Sequence, residues 1–525
     1  MFLQYLGHAG WLFGEDGWTL VCDPWQSSHG AFYAGWFPFP ANDHVPIPST
    51  VDALYLSHAH EDHFHPETLE RFARDTRILI ADFLDPVLYE GLTALGFTNI
   101  QRLSDGETTT VGSLSLQIFR DEDSGMYHDS ALVVRSRTAT ILNLNDCRLS
   151  AEYVAQLDRV DVLLGQFSGA NWYPLAYDYP AQQKKVLGAA KRRRGLERLA
   201  HSVALSQAAY TIPCAGPPAF LDPLFASYND IHDSDENPFP MMETAVAFLE
   251  QKGHQAFLSM PGDMFEVNDG KLSLQSRTLS VDEVYGNREK YLRQYAEQKQ
   301  AAIMGRLATL PADPLVGERL QQEFRRIIAT SKVFVPQVRA AVRFRLLGVR
   351  GGDLLLDCRE GQVPRVAEYQ GEPFQYSFTV DARLVADLLR QPFINFEYVF
   401  LSMRLRAWRD PDVFNDALFA LLVNFDDRRL RQAEQEAART STTTGGVFEL
   451  VSEGARYLVQ RRCPHLQADL SVVGQVHAGI LTCPRHGWQF RLSDGVCLNV
   501  SAAPLFVQAI EETTGYPDCS SEGDT

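Results

Sequence analysis

The sequence predicts an α/β protein in its first half, a mainly helical α+β stretch in its middle and a small all-β domain near its end. Three observations predict this. Up to about residue 280, apolar runs rich in Val, Ile, Leu, Tyr and Phe alternate with segments of helical period. From 281 to 438 helical segments dominate around a few strand-like runs. After the polar, glycine-containing stretch "RTSTTTGGVFEL" (439–450), only short strands remain, and two Cys/His pairs sit among them.

In the first region (1–280) the expected strands are "FLQYLGHAGWLF", "WTLVCDPW", "VDALYLSH", "RILIAD", "LSLQIF", "SALVV", "ATILNLND", "VDVLLGQF", "YTIPCAG" and "QAFLSMPGD". Each is apolar and ends at a polar cluster. Helices are expected at "PETLERFARD", "SAEYVAQLDR" and "METAVAFLEQKG". The middle region (281–438) opens with a long helical candidate, "VDEVYGNREKYLRQYAEQKQAAIMGRL". "GGDLLLDCREG" and "PFQYSFTV" read as paired strands, and "VDARLVADLLRQP" and "DPDVFNDALFALLVNF" return to helix. This shape is similar to sterol-carrier-like α/β pockets, which implies a substrate pocket here. The all-β domain is placed at 447–508. Residues 509–525, acidic and rich in small residues, read as a flexible tail.

Composition excludes several classes of function. The 525 residues include 66 acidic and 48 basic ones, a formal charge of −18. Nucleic acid is a poor partner for such a chain, because phosphate binding rests on basic surface. No apolar run is long enough to span a bilayer, and "MFLQYLGHAG" lacks the basic leader and cleavage site of a signal peptide. Eight scattered cysteines suggest no disulfide framework, so the expected compartment is the reducing cytoplasm.

The stretch "HAHEDHFHP" (58–66) follows the apolar strand "VDALYLS". His58 and His60 are two residues apart, so on an extended segment their side chains share a side and can grip one ion. Asp62 and His63 can face a second. Asp146, at the end of "ILNLND", is the natural bridge, and His128 can complete the first ion's ligands. A mixed nitrogen and oxygen set suits iron or zinc better than magnesium or calcium. His65 lies just outside the pattern and reads as a supporting or exposed residue. Far downstream, "CPH" (463–465) and "CPRHGW" (483–488) are separated by seventeen residues. Cys463, His465, Cys483 and His486 could hold one zinc ion or a Cys₂His₂ [2Fe–2S] cluster.

The His-x-His-x-Asp-His spacing resembles the metallo-β-lactamase superfamily, which implies an αββα sandwich. "YLGHAGWLF" followed by "LVCDPW" resembles the branch containing ascorbate-phosphate lactonase and N-acyl-phosphatidylethanolamine phospholipase; it implies that His8 lies near the site. Cys-x-His, then Cys-x-x-His with "GW" directly after, resembles the Rieske domain of ferredoxins and oxygenases. The combination resembles the CMP-N-acetylneuraminate hydroxylase family, with counterparts to "FYAGWF", "LYLSHAHEDHFHPETLERF", "ILNLNDC", "PCAG" and "RLRAWRDPDVFNDALF" in that order. Here, however, the Rieske segment comes last rather than first. After "PCAG" the family pattern implies a histidine where this chain has Asp222, so the final metal ligand is Asp222 or His232.

Two further features point toward partners. The basic run "KKVLGAAKRRRG" (184–195) could hold a phosphate group, dock an acidic electron donor or form a solvated helix face. Trp36, Trp172 and Tyr173 could wall a pocket or pack in a core. The expected function is that of an iron-dependent, Rieske-coupled oxygenase acting on a small organic substrate such as an amino sugar, a nucleotide sugar or an amine. It would use one or two iron ions, with NAD(P)H electrons arriving through a ferredoxin, cytochrome or flavin reductase. The alternative is a di-zinc hydrolase of phosphoesters or lactones with a redox-sensing Rieske domain. A first test concerns the cluster. Anaerobically purified protein should contain acid-labile sulfide and give a Cys₂His₂ [2Fe–2S] EPR signal on reduction, and Cys463→Ser should abolish both. One zinc and no sulfide in that domain would rule the cluster out.

Overall fold

The computed structural model describes residues 1–121, 128–148, 151–232, 234–348, 351–442, 446–464, 470–483, 488–498 and 504–510. These residues form two compact units. One comprises the described residues within Met1–Asp410 and Ala417–Gln435, the other those within Pro411–Asp416 and Glu436–Thr525.

The first unit contains two facing sheets. The eight-stranded sheet is built from β1 (Phe2–Gly7), β2 (Gly10–Glu15), β3 (Trp18–Cys22), β4 (Ala53–Tyr55), β5 (Ile78–Ala81) and β6 (Ile100–Leu103). The six-stranded sheet takes β7 (Thr108–Val111), β8 (Leu114–Arg120), β9 (Ser130–Arg135), β10 (Thr140–Asn143), β11 (Val162–Gln166) and β12 (Tyr210–Cys214). The chain then returns with β13 (Met264–Asn268) and β14 (Lys271–Ser276), so that the first sheet runs β14-β13-β1-β2-β3-β4-β5-β6. The second sheet runs β12-β11-β10-β9-β8-β7. Strands β3 to β6 are mutually parallel, as are β10 to β12. Parallel strands are buried on both faces, which is why β4 and β5 read as unbroken apolar runs. One hydrophobic core runs through both sheets, from Tyr5, Trp11 and Tyr55 to Phe119, Leu142 and Leu163. The helices Ala181–Ser206 and Met242–Gln251 cover β11 and β12. This is the αββα arrangement that the resemblance implied.

Several local expectations need correction. "PETLERFARD" forms only the short helix Pro66–Leu69, and "SAEYVAQLDR" only Ala151–Val154. "QAFLSMPGD" is not a strand; the strand begins afterwards, at Met264. In the middle region "GGDLLLDCREG" and "PFQYSFTV" do become strands, β16 (Gly352–Asp357) and β18 (Tyr376–Asp381), but they do not pair with each other. β15 (Ala341–Leu347) lies between them, antiparallel to one and parallel to the other. Its sequence "AVRFRLL" hides the strand, because Arg343 and Arg345 alternate with buried Val342, Phe344 and Leu346. β17 (Arg365–Glu368) and β19 (Leu405–Arg409) complete a five-stranded sheet.

The sandwich and the middle region share a packed seam. Trp172, on a sandwich loop, stacks on Phe419 at 5.6 Å and lies 5.2 Å from Phe400, so it is core and not pocket wall. The turn at residues 31–36 is held from both sides. Phe32, Tyr33 and Ala34 are all left-handed, with φ of 49°, 56° and 57°. Three consecutive non-glycine residues in that region are strained, at a cost of roughly 1–2 kcal/mol each. Arg404 offsets this. Its guanidinium donates to the carbonyls of Tyr33 (2.9 Å) and Ala34 (3.2 Å) and pairs with buried Asp222 at 2.7 Å. Gly35 sits so close to the Ser402 carbonyl that a Cβ there would approach to 2.4 Å.

The second unit contains two three-stranded sheets, one holding Val447–Ser452, Ala455–Gln460 and Val507–Ile510, the other Gln475–His477, Ile480–Cys483 and Trp488–Arg491.

A stability prediction follows from the Asp222–Arg404 pair, whose side chains are only 8% and 7% exposed. Arg404→Met leaves a buried carboxylate alone and should destabilise the first unit by about 3–5 kcal/mol in urea melts. Adding Asp222→Asn should recover part of that loss. Additive losses in the double variant would show that the two residues do not act as a pair.

Candidate metal centre and adjoining cavity

The site residues lie where strands of the two sheets end side by side. His8 follows β1, Asp23 follows β3, His58 lies three residues beyond β4 and Asp146 three beyond β10, while Asp129 immediately precedes β9. Ser130 joins the sheets: its Oγ donates to the Ser57 carbonyl at 2.9 Å, and Tyr55 Oη lies 2.8 Å from the same hydroxyl. The loop 58–65 is thereby fixed at its root.

Two groups of potential ligands form here. One ligating atom from each of His8, Asp62 and His63 lies within 4.8 Å of the others, and the same holds for His58, His63 and Asp146. His63 Nε2 is 3.7 Å from both Asp62 Oδ2 and Asp146 Oδ1. That is close to the separation of two donors about 2.1 Å from a shared ion. His60 joins through Nδ1, which is 2.8 Å from His58 Nε2.

Each of the three histidines has a carboxylate behind it. His63 Nδ1 meets Asp23 Oδ2 at 2.8 Å, His58 Nδ1 meets Asp129 Oδ1 at 3.2 Å, and His60 Nε2 meets Glu397 Oε2 at 3.2 Å. An ionised carboxylate only accepts, so those ring nitrogens carry the protons. The opposite nitrogens are left to face inward. His63 Nε2 and Asp146 Oδ1 are buried with no hydrogen-bond partner among the described residues. Between His58 Nε2 and His60 Nδ1 a cation must sit, either a proton or a metal ion. The donor set therefore fits a nitrogen- and oxygen-loving ion such as iron or zinc.

The structure sorts the sequence-derived candidates. His58, His60, Asp62, His63 and Asp146 come together, and His8 joins them through a 2.9 Å contact to Asp62. His128 lines the adjoining cavity against Phe83 and belongs to neither group of three. Asp222 is also in neither group: it caps the turn Pro223–Tyr228 and pairs with Arg404. His232 is exposed. His65 caps the helix Pro66–Leu69, accepting from Thr68. Asp23, Asp129 and Glu397 went unrecognised in the sequence; the "LVCDPW" and "HDS" stretches carried two of them.

Family models match three segments. A beta-lactamase superfamily domain spans 2–188, an Rv3818-like, SCP2-like domain 316–439, and a Rieske [2Fe-2S] domain 426–509. A Mycolicibacterium smegmatis protein described as a Rieske 2Fe-2S iron-sulfur protein is 34% identical over 530 residues, 96% of this chain and 99% of its own. The chain belongs to this family of Rieske iron–sulfur proteins. The cytidine monophosphate-N-acetylneuraminic acid hydroxylase of Mus musculus is 28% identical over 228 residues, 41% of this chain and 38% of that one. A Streptomyces venezuelae enzyme, 4-amino-L-phenylalanyl-[CmlP-peptidyl-carrier-protein] 3-hydroxylase, is 35% identical over 120 residues, 21% of each chain.

In this Rieske iron–sulfur protein, Cys463 and Cys483 are buried in one apolar core with Val459, Leu481 and Phe490. Cys497 packs into the same core. His465 and His486 lie outside the described residues, as does the end of the acidic tail from 511 onward. No described helix is long and apolar enough to cross a membrane. The basic run on the helix Ala181–Ser206 is divided: Arg192 pairs with buried Asp230 at 2.8 Å and Lys191 donates to Asn171 and the Tyr173 carbonyl, while Lys185, Arg193 and Arg194 are exposed.

Beside His58 and His60 opens a cavity of about 340 Å³, walled by Tyr33, Phe64, Phe83, Phe393 and Tyr398. Trp36, Trp172 and Tyr173 do not line it. Its guanidiniums are already matched, Arg429 with Asp85 at 2.8 Å and Arg306 with Asp387 at 3.7 Å.

Carboxylates dominate the titration of the cluster. Burial draws the His60 imidazole down, but Glu397 and Asp62 outweigh it and raise it to about 9. His63, drawn down by burial, is raised by Asp62, Asp146 and Asp23 to about 10. Burial would raise Asp62, yet His63, His8 and His60 hold it well below the usual range. At neutral pH both His60 and His63 are cationic in protein stripped of metal. Because ligands must be neutral to bind, uptake of a divalent ion at pH 7 should release about two protons, and apparent affinity should climb with pH toward 9–10. These raised values also stabilise the stripped fold fully below 6.5, an advantage lost as pH rises through about 9 and 10. Calorimetry in buffers of different ionisation enthalpy reads the proton count; zero release would contradict the cationic assignment.

Proposed function

We propose that this protein is a Rieske-coupled, iron-dependent oxygenase that inserts one atom of dioxygen into a small organic substrate and releases the other as water. One observation carries the reading. A single chain combines a Rieske [2Fe-2S] domain, which moves single electrons, with a histidine–carboxylate cluster fit for iron. Hydrolysis at that cluster would need no electrons. The partial likeness to two hydroxylases supports the same class.

In this reading His58, His60, Asp62, His63 and Asp146 hold one or two iron ions, with His8 beside Asp62. Cys463, His465, Cys483 and His486 hold the cluster. Iron so bound supplies oxygen activation once electrons arrive. The chain's own groups do the rest. Asp129, Glu397 and Asp23 hold the imidazoles in the tautomer that leaves the inward nitrogens bare. Tyr33, Phe64, Phe83, Phe393 and Tyr398 supply apolar walls that exclude water and orient a substrate beside His58 and His60. Arg306 and Arg429, the guanidiniums of its described wall, already sit beside carboxylates, so small amines and amino sugars precede nucleotide sugars as trial substrates. The electron donor is a ferredoxin, cytochrome or flavin reductase drawing on NAD(P)H.

The source of the new oxygen atom tests the proposal. In turnover under ¹⁸O₂ with a reductase pair, the product should carry the label and reductant should disappear in step with product. Product formed without oxygen or reductant, its oxygen taken from water, would identify a metal-dependent hydrolase instead.

A further inference from the structure

Two of the three cluster histidines are backed by carboxylates of the sandwich itself. His60 is different. The carboxylate at its Nε2 belongs to Glu397, 337 residues later, on the short helix Glu397–Leu401 of the SCP2-like region. Glu397 is held firmly. Its side chain is 7% exposed, its amide donates to Asn395 Oδ1 at 2.8 Å, and the preceding Phe396 amide donates to the Leu422 carbonyl. The next residue, Tyr398, donates its hydroxyl to the Ala59 carbonyl at 3.1 Å, fixing the backbone between His58 and His60.

We propose that Glu397 is a positioning residue for His60, so that the SCP2-like region completes the metal centre of the β-lactamase-like region. The Glu397 carboxylate accepts the Nε2 proton. The Nδ1 lone pair is then presented toward His58 Nε2, 2.8 Å away, where an ion is to be gripped. Glu397 lies on the far edge of the ring from that nitrogen, so it orients the ligand and does not bind the ion. This rests on His60 being a metal ligand, as in the function proposed above, but not on which metal or which reaction follows.

The test is Co(II) titration of the full chain after chelation of the histidine site, read by the Co(II) ligand-field spectrum. Rieske absorption and the melting profile serve as folding controls. Glu397→Leu keeps the volume and removes the acceptor; it should weaken Co(II) binding by ~10–100-fold and alter the spectrum. Glu397→Gln keeps a carbonyl oxygen in place and should bind within a few-fold of wild type. Should the Leu variant fail to fold, Glu397→Asp withdraws the carboxylate by one methylene and should show the same loss. His60→Ala is the comparator. Wild-type affinity in the Leu or Asp variant, alongside a loss in His60→Ala, overturns the role of Glu397 alone. Wild-type affinity in His60→Ala overturns the ligand assignment and this proposal with it. An oxygen-isotope result in favour of a hydrolase would leave it standing.

Discussion

Three imidazoles must each keep one ring nitrogen bare and turned toward a common place. That requirement organises the site. An imidazole chooses which nitrogen to protonate by what the other end meets, so the decisive contacts are on the outer edges of the rings, with Asp129, Glu397 and Asp23. Those carboxylates need rigid supports in turn. Asp23 is held by the amide and hydroxyl of Ser57, and Ser57 by Ser130 from the opposite sheet. The sandwich is thus the device that brings strand ends carrying carboxylates behind strand ends carrying histidines.

The middle region is part of the same construction. Besides Glu397, it supplies Asp387, Phe393 and Tyr398 to the cavity wall and Arg404 to the turn at Phe32–Ala34. The Phe32 amide donates to Glu61, which lies between His60 and Asp62, so the turn is tied to the metal loop as well. Pocket and centre are therefore shaped by the same seam. A change that loosens the seam acts on substrate fit and on ligand geometry together.

What could be read in the sequence was what is local. His58, His60, Asp62 and His63 fall within six residues behind one apolar strand, and Cys463 and Cys483 each carry a histidine nearby. Spacing alone exposes such patterns. The αββα layers were legible for the same reason, because parallel strands such as β4 and β5 are short apolar runs. The supporting carboxylates were not. Asp23 looked like an ordinary strand end, and nothing near Glu397 hints at a histidine 337 residues earlier. Asp222 shows the converse side of locality. Its place after "PCAG" suggested a ligand, yet Arg404, 182 residues on, engages it. β15 was hidden by its two arginines, since a charged residue on the outer face of a strand blurs the apolar run.

The left-handed turn has a consequence for how the protein is made. Arg404 donates to the Tyr33 carbonyl across 371 residues of chain. A ribosome adding about 5–20 residues per second delivers that arginine roughly twenty to seventy-five seconds after the turn has emerged. Through that interval the strand pairs of the sandwich can form, but the three strained residues lack the group that holds them. Translation order therefore makes the wall beside His60 a late piece of the pocket to set, and a nascent chain halted before residue 404 would carry its histidines in a mouth not yet shaped.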